Sequence, residues 1–243
     1  GLWHHYLITR DLDQLKRMWP TLKRALEFTL SLQTAEGEVY WAISPEGQVD
    51  KMALLTGCSS IYMSLKCALA IARLLDRVPA HWPRSLERLG SALRHKPHRF
   101  NMTKARFSMD WFYPILCGVL TGEAAQKRID RYWKKFVVEG LGVRCVSDQP
   151  WVTIAESSEL VLALTAMNNT SLAHIVFNWI CDHTYEDGSY WCGFTFPDMT
   201  IWPEEKIAWT NAVVLLAADA LYHLTPAGTM FSHHFWEEMG LSA

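Results

Sequence analysis

Three times in this chain an aromatic residue stands nine positions before a glycine that opens a tryptophan- or charge-bearing loop: Phe28 to Gly37, Trp133 to Gly142 and Trp179 to Gly188. A recurrence at fixed offset constrains a fold strongly, because each copy must be the same supersecondary unit stacked on its neighbours. The residues ahead of each glycine carry a helical period: Leu22, Ala25, Leu26 and Thr29; Ile129, Tyr132, Trp133 and Phe136; Leu172, Ile175, Val176 and Trp179. Each unit therefore reads as a helix ending at a glycine in the left-handed C-cap conformation, with an exposed loop beyond it. The last two glycines are 46 residues apart and the first two 105. The period is thus about 50, with one divergent copy between the first two.

Helices of two kinds alternate along the chain. Residues 11 to 33, 82 to 95, 123 to 138 and 170 to 183 are amphipathic with a charged free face. Residues 53 to 75, 109 to 120, 153 to 167 and 207 to 222 are apolar or small on nearly every face, which predicts burial on all sides. Alternating enclosed and exposed helices predict an all-α fold, an α/α toroid of hairpins with inner and outer layers, in one domain over residues 1 to 243. The hairpins in hand fall short of a six-hairpin barrel. Further N-terminal hairpins are therefore expected to be missing, with an apolar patch exposed at the open flank.

Loop lengths single out one end of this ring. The connections from inner to outer helices are short, whereas residues 34 to 52, 96 to 108, 139 to 152 and 184 to 206 form long returns. Long loops gathered at one end of a rigid scaffold are where binding and catalysis concentrate. On them or at the helix starts just after them stand Trp41, Trp111, Trp151, Trp191, Trp202 and Trp209, six of the twelve tryptophans.

The same end carries carboxylates. Asp110 stands at an inner-helix start, Glu156 and Glu159 share a helix face after Trp151, and Glu204 and Glu205 precede Trp209. Acid/base cleavage of a glycosidic bond needs two carboxylates about 5 to 10 Å apart across the bond. Asp110, Glu156, Glu204 and Glu205 are accordingly the candidate catalytic residues. Trp41, Trp111, Tyr113, Trp151, Trp191, Trp202 and Trp209 are the candidate substrate walls, able to stack on sugar faces or to line an isoprenoid cavity. Against this stands a structural reading, in which acidic residues of a first turn complement the helix dipole and tryptophans pack hairpins together. For Trp19, Trp133 and Trp179, on outer helices, packing is the preferred reading.

Composition excludes some partners. A formal net charge of −2 gives no reason to expect nucleic acid or an anionic membrane. The longest purely apolar run, Ala212 to Ala218, is far below the roughly 20 residues of a membrane span. Six cysteines with no CxxC spacing read as free thiols in a reducing cytoplasm. Cys181, Asp182, His183 and Cys192 are the nearest approach to a metal set, but neighbouring side chains on one helical turn diverge, so no metal and no cofactor is expected. His4, His5, His233 and His234 read as surface residues.

The stretches ALLTGCSSIYMSL (53 to 65), FSMDWFYPIL (107 to 116), GLGVRCVSDQPWVTIAESSELVLAL (140 to 164), DGSYWCG (187 to 193) and WPEEKIAWTNAVVLLAADAL (202 to 221) resemble a bacterial family labelled prenyltransferase. That family belongs to the superfamily of terpenoid cyclases and protein prenyltransferases, and the resemblance implies an α/α toroid. The opening WHHYLITRDLDQLKRMWPTLKRALEF (3 to 28) is in addition similar to glucoamylase-type six-hairpin glycosidases.

Several motifs of the first group are missing. The aspartate cluster of protonating cyclases is matched only by Asp11-Leu12-Asp13, on an outer helix, and no DDxxD or glycine-rich phosphate loop is present. Three functions follow as expectations. The first is a prenyltransferase- or cyclase-like enzyme acting on an isoprenoid. The second is a glycoside hydrolase-like enzyme using paired carboxylates on a sugar. The third is a non-catalytic carbohydrate- or lipid-binding toroid. The mechanism predicted for the second pairs Glu156 with Glu204 or Glu205.

Overall fold

A computed structural model describes residues 1–241, and the chain divides into two compact units, Gly1–Lys104 with the C-terminal residues from Trp236, and Ala105–Phe235.

In the first unit, α1 (Leu2–Thr9) stops at Arg10, whose φ of 57° breaks the helix. The carboxylate of Asp11 then caps α2 (Leu12–Ser31) by accepting the Gln14 N–H at 2.8 Å. Helix α2 buries Leu15, Trp19 and Leu26 on one stripe. A hairpin of β1 (Ala42–Ile43) and β2 (Val49–Asp50) leads to α3 (Leu55–Leu74) and α4 (His81–His95), which pack on each other. Trp82 of α4 sets its ring 5.7 Å from that of Trp19 and donates its indole N–H to Glu27 at 3.2 Å. Helix α3 is apolar and long enough to cross a membrane, yet 61% of that stretch is buried within the protein, as in the core helix of a globular unit. Its one fully buried cation, Lys66, lies over the rings of Trp236 at 4.6 Å and Tyr62 at 5.5 Å.

The second unit holds α5 (Ser108–Leu116), α6 (Gly122–Phe136), β3 (Val137–Val138), β4 (Gly142–Arg144), β5 (Trp151–Thr153), α7 (Ile154–Ala166), α8 (Thr170–Ile180), β6 (Gly193–Thr195) and α9 (Ala208–Tyr222). Helix α7 is its centre: α5, α8 and α9 pack against it, and every residue from Ile154 to Leu164 is buried. Enclosure on all sides is what its uniform apolarity predicts. Helix α9, equally apolar, is different. It packs on α7 and α8 through Val213, Val214, Ala217, Ala220 and Leu221, while Leu215, Trp209 and Tyr222 stay exposed. A short α10 (His233–Glu238) follows, and its His233 departs from expectation: it is buried, with Nε2 2.7 Å from the Ile115 carbonyl oxygen.

The eight predicted helices match α2 to α9 to within a few residues, with α5 the shortest because Pro114 lies in its last turn. The repeat glycines behave otherwise than predicted. Gly37, Gly142 and Gly188 all have positive φ, but α2, α6 and α8 end at Ser31, Phe136 and Ile180, so none of the three glycines is a helix cap. Gly37 and Gly188 instead turn the chain within short antiparallel pairings, Gln33 with Val39 and Thr184 with Tyr190, and Gly142 opens β4 opposite Val138. At Gly37 a Cβ would stand 2.2 Å from the Arg88 carbonyl oxygen, so close backbone approach adds to the positive φ in requiring glycine.

The other departure from expectation is a four-stranded antiparallel sheet, β3-β4-β5-β6, built from segments read as irregular loops. Its strands are two or three residues long, too short for an alternation of polar and apolar residues to register. They set the start of α7: β5 runs directly into it, and Ile154 N–H bonds to the Cys192 carbonyl just ahead of β6.

Candidate active site

The first turns of α7 carry two buried carboxyl groups, Glu156 and Glu159, at 5% and 4% exposure. Residues three apart on a helix are surface neighbours, so both face the same side. Glu156 lies in the first turn of the helix. Its Oε1 accepts the Cys145 thiol at 3.3 Å. Burial first, and then the Glu156 carboxylate, push the Cys145 thiol well up, so it stays protonated and acts as a donor. Glu159 Oε1 accepts the Tyr113 hydroxyl of α5 at 2.6 Å, while its Oε2 is buried without a partner. Burial raises the Glu159 carboxyl from 4.5 to about 8, the Tyr113 bond opposes that rise, and the neighbouring Glu156 adds to it.

The sheet that supports this helix carries the aromatic residues. Trp151 of β5 donates its indole N–H to the Trp202 carbonyl at 2.8 Å and meets the Trp202 ring edge-on at 5.0 Å. Trp202 itself is 56% exposed. Trp191 is half-buried, edge-on to His183 at 5.1 Å, and His183 stacks on Phe194 of β6 at 4.7 Å. The loop from residue 184 to 206 is drawn together by Lys206, whose ammonium bonds Asp187 at 2.6 Å. Glu204 and Glu205 lie on this loop, both exposed. The Cys192 thiol is raised by its burial and then by Glu156 and Glu205. Glu204 acts instead on Tyr185.

The remaining predicted residues fall elsewhere. Trp111 is in the core rather than on a wall: its ring stacks on Phe136 at 5.4 Å, and its indole N–H bonds the Arg128 carbonyl at 2.9 Å. Buried, with its one donor used, it has nothing left to offer a ligand. Asp110 is buried in the first turn of α5, within reach of the Arg128 guanidinium, whose side chain also bonds the Asp110 and Trp111 carbonyls. That placement fits a helix-start role. Tyr113 is half-buried and turned to Glu159. Trp209 stands exposed at the start of α9, and Trp41 belongs to the first unit, exposed beside its hairpin. Trp133 and Trp179 pack at the edge of the second unit's core, and Trp19 is buried in the first unit.

Sequence reasoning ranked Glu156 above Glu159 and missed the tie from Tyr113. The signal was the i, i+3 spacing, but burial of both side chains follows only from the packing of α5 on α7. Among the described residues no group of three or more His, Cys, Asp or Glu is placed to hold a metal ion.

No protein-family profile matches the chain. It is similar to MMP endo-(1,4)-3-O-methyl-α-D-mannosidase of Mycolicibacterium hassiacum, with 48% identity over 231 residues. The match takes in 95% of this chain, which spans 64% of the length of that relative. Among solved structures it resembles an inactive α-1,6-mannanase variant, GH76A of Salegentibacter sp. HEL1_6, in complex with α-1,6-mannotetrose. There the TM-score is 0.63 at 10% identity, covering 90% of this chain and 67% of the other. The fold class is that of the α/α toroids. Neither likeness is to a prenyltransferase or terpenoid cyclase, so the label that led the sequence reading finds no support. The comparisons agree better with the glycosidase alternative.

Proposed function

We propose that this chain carries catalytic residues of a glycoside hydrolase that cuts α-linked mannose polymers internally, with Glu156 as a working carboxylate. The observation that carries this reading is the 48% identity to an endo-mannosidase over nearly the whole chain. The site's chemistry supports it: a buried carboxylate at a helix N-terminus, a second carboxylate nearby at Glu205, and indole faces at Trp151 and Trp202. Glu156, at a helix start and accepting the Cys145 thiol, is placed to act as base or nucleophile. Glu205, on a solvated loop, is suited to exchange protons with the leaving group or with water. Trp202 offers an exposed apolar face to a pyranose ring.

The test is direct. The protein is incubated with an α-1,4-linked 3-O-methylmannan, an α-1,6-mannan and a set of prenyl diphosphates, and the products are sized by mass spectrometry. Shorter oligosaccharides from either glycan are the expected result. Turnover of a prenyl diphosphate with both glycans intact would restore the isoprenoid reading.

A further inference from the structure

Glu159 is a buried acid that the cleavage scheme above leaves without a task. It lies one helical turn from Glu156, is almost wholly enclosed, accepts a short bond from Tyr113 on one oxygen and leaves the other unpartnered. Two carboxylates on one face of a helix stand about 5 to 6 Å apart at Cβ. In a buried place two like charges at that spacing repel strongly, and the lower-energy state holds one proton between them.

We propose that Glu156 and Glu159 work as a single-proton pair, in which Glu159, held by Tyr113, keeps the proton and so leaves the charge on Glu156. Glu159 is thus a positioning residue: it acts through Glu156 and not on substrate. The inference rests on Glu156 being a working carboxylate of the proposed glycosidase.

The surroundings fit this division. On the Glu156 side are a helix N-terminus and a protonated thiol that donates to Oε1. On the Glu159 side are burial and a neighbouring carboxylate, both of which favour the neutral acid. The Tyr113 hydroxyl is itself pushed up, by burial and then by Glu159, so it remains a donor throughout the neutral range. The other titratable groups near the pair are Cys117, just past α5, which acts on Tyr113, Cys145, which follows β4, and Cys192, which both Glu156 and Glu205 act on. Helices α8 and α9 bring His174, whose ring contacts Tyr222, and Asp219, whose carboxylate accepts from Thr225. Strand β5 brings no titratable side chain.

Two measurements decide the matter. The first follows the infrared C=O band of a protonated carboxyl group between pH 5 and 10 in the wild type, Glu159→Gln, Tyr113→Phe and Glu156→Gln. A band persisting at pH 7 in the wild type, absent in Glu159→Gln, titrating at higher pH in Tyr113→Phe and at lower pH in Glu156→Gln is expected. The directions follow because the Tyr113 bond favours the ionised form of Glu159 and the Glu156 charge opposes it. The second is the pH profile of kcat on the glycan that the wild type cleaves. Activity should fall on the alkaline side as the pair loses its proton, near pH 8. That limb should vanish in Glu159→Gln and move upward in Tyr113→Phe, with KM little changed.

A wild type without the band at pH 7, or an alkaline limb that stays put in both variants, overturns the pair. Should the wild type cleave no glycan, the glycosidase reading fails by itself. The infrared shift between wild type and Glu156→Gln then still decides whether the two carboxyls share a proton, and an unshifted midpoint overturns the inference.

Discussion

The Oγ of Ser157, in the first turns of α7, accepts the Val143 N–H of β4 at 2.8 Å and donates to the Thr153 carbonyl at 2.6 Å. One buried hydroxyl thus ties the sheet to the helix that carries Glu156. Removing it in Ser157→Ala leaves a buried N–H without a partner, which costs about 1–3 kcal/mol. Urea unfolding should show that loss. Gly142→Ala should also destabilise, because φ there is 135° and the new Cβ would stand 2.6 Å from the same Oγ. In the double variant the clash with the hydroxyl is gone, so its cost should fall short of the two single costs added together.

Glu156→Gln preserves size and the ability to hydrogen-bond, so the protein should fold with its melting temperature little changed. Its glycan turnover should nevertheless fall by about 100-fold or more, the scale expected for a positioned acid or base. Steady-state kinetics with a circular dichroism control would check this. Near-wild-type turnover would remove Glu156 from the mechanism.

Stability should depend on pH through Glu159. Burial lifts its folded-state pKa from 4.5 to about 8, so between those values the folded protein holds a proton that the unfolded chain releases. The stabilisation from this group is therefore complete below pH 4.5 and is lost as the pH rises through 8. Glu159→Gln removes the titration. Its urea midpoint should fall less than that of the wild type between pH 5 and 8, and parallel slopes would contradict the assignment.

Two tryptophans from the same set of candidate walls should part company. Trp111→Ala empties a packed site and should cost about 3–5 kcal/mol of stability. Trp202→Ala removes a side chain that is 56% exposed, so it should leave the melting temperature nearly intact while weakening oligosaccharide binding. Thermal denaturation alongside isothermal titration with an inert mannoside oligomer distinguishes the two. A loss of binding without a loss of stability at Trp111 would reverse the assignment.

The sequence by itself determined the helical order of this protein. Periodicity separated charged-faced helices such as α6 from uniformly apolar ones such as α7, because a helix's apolar stripe is written at spacings of three and four residues and survives without knowledge of the fold. It also determined that Gly37, Gly142 and Gly188 adopt positive φ. The local role of those glycines was decided by pairing. Strands of two or three residues have no period to read, and they exist because β3 to β6 find one another across up to 40 residues of intervening chain.

Tertiary structure alone decided which candidate residues keep a free face. Trp111 and Trp202 are the same residue type at similar predicted positions, yet one is sealed between α5 and α6 and the other is open to solvent. It also decided the difference between Glu156 and Glu159. Both are buried glutamates in the first turns of one helix, yet Glu156 accepts the Cys145 thiol and Glu159 the Tyr113 hydroxyl, a difference set by how α5 and the sheet lie on α7. Burial is a property of neighbours distant in sequence, and the free energy of charging a carboxyl group depends on it more than on the residue itself.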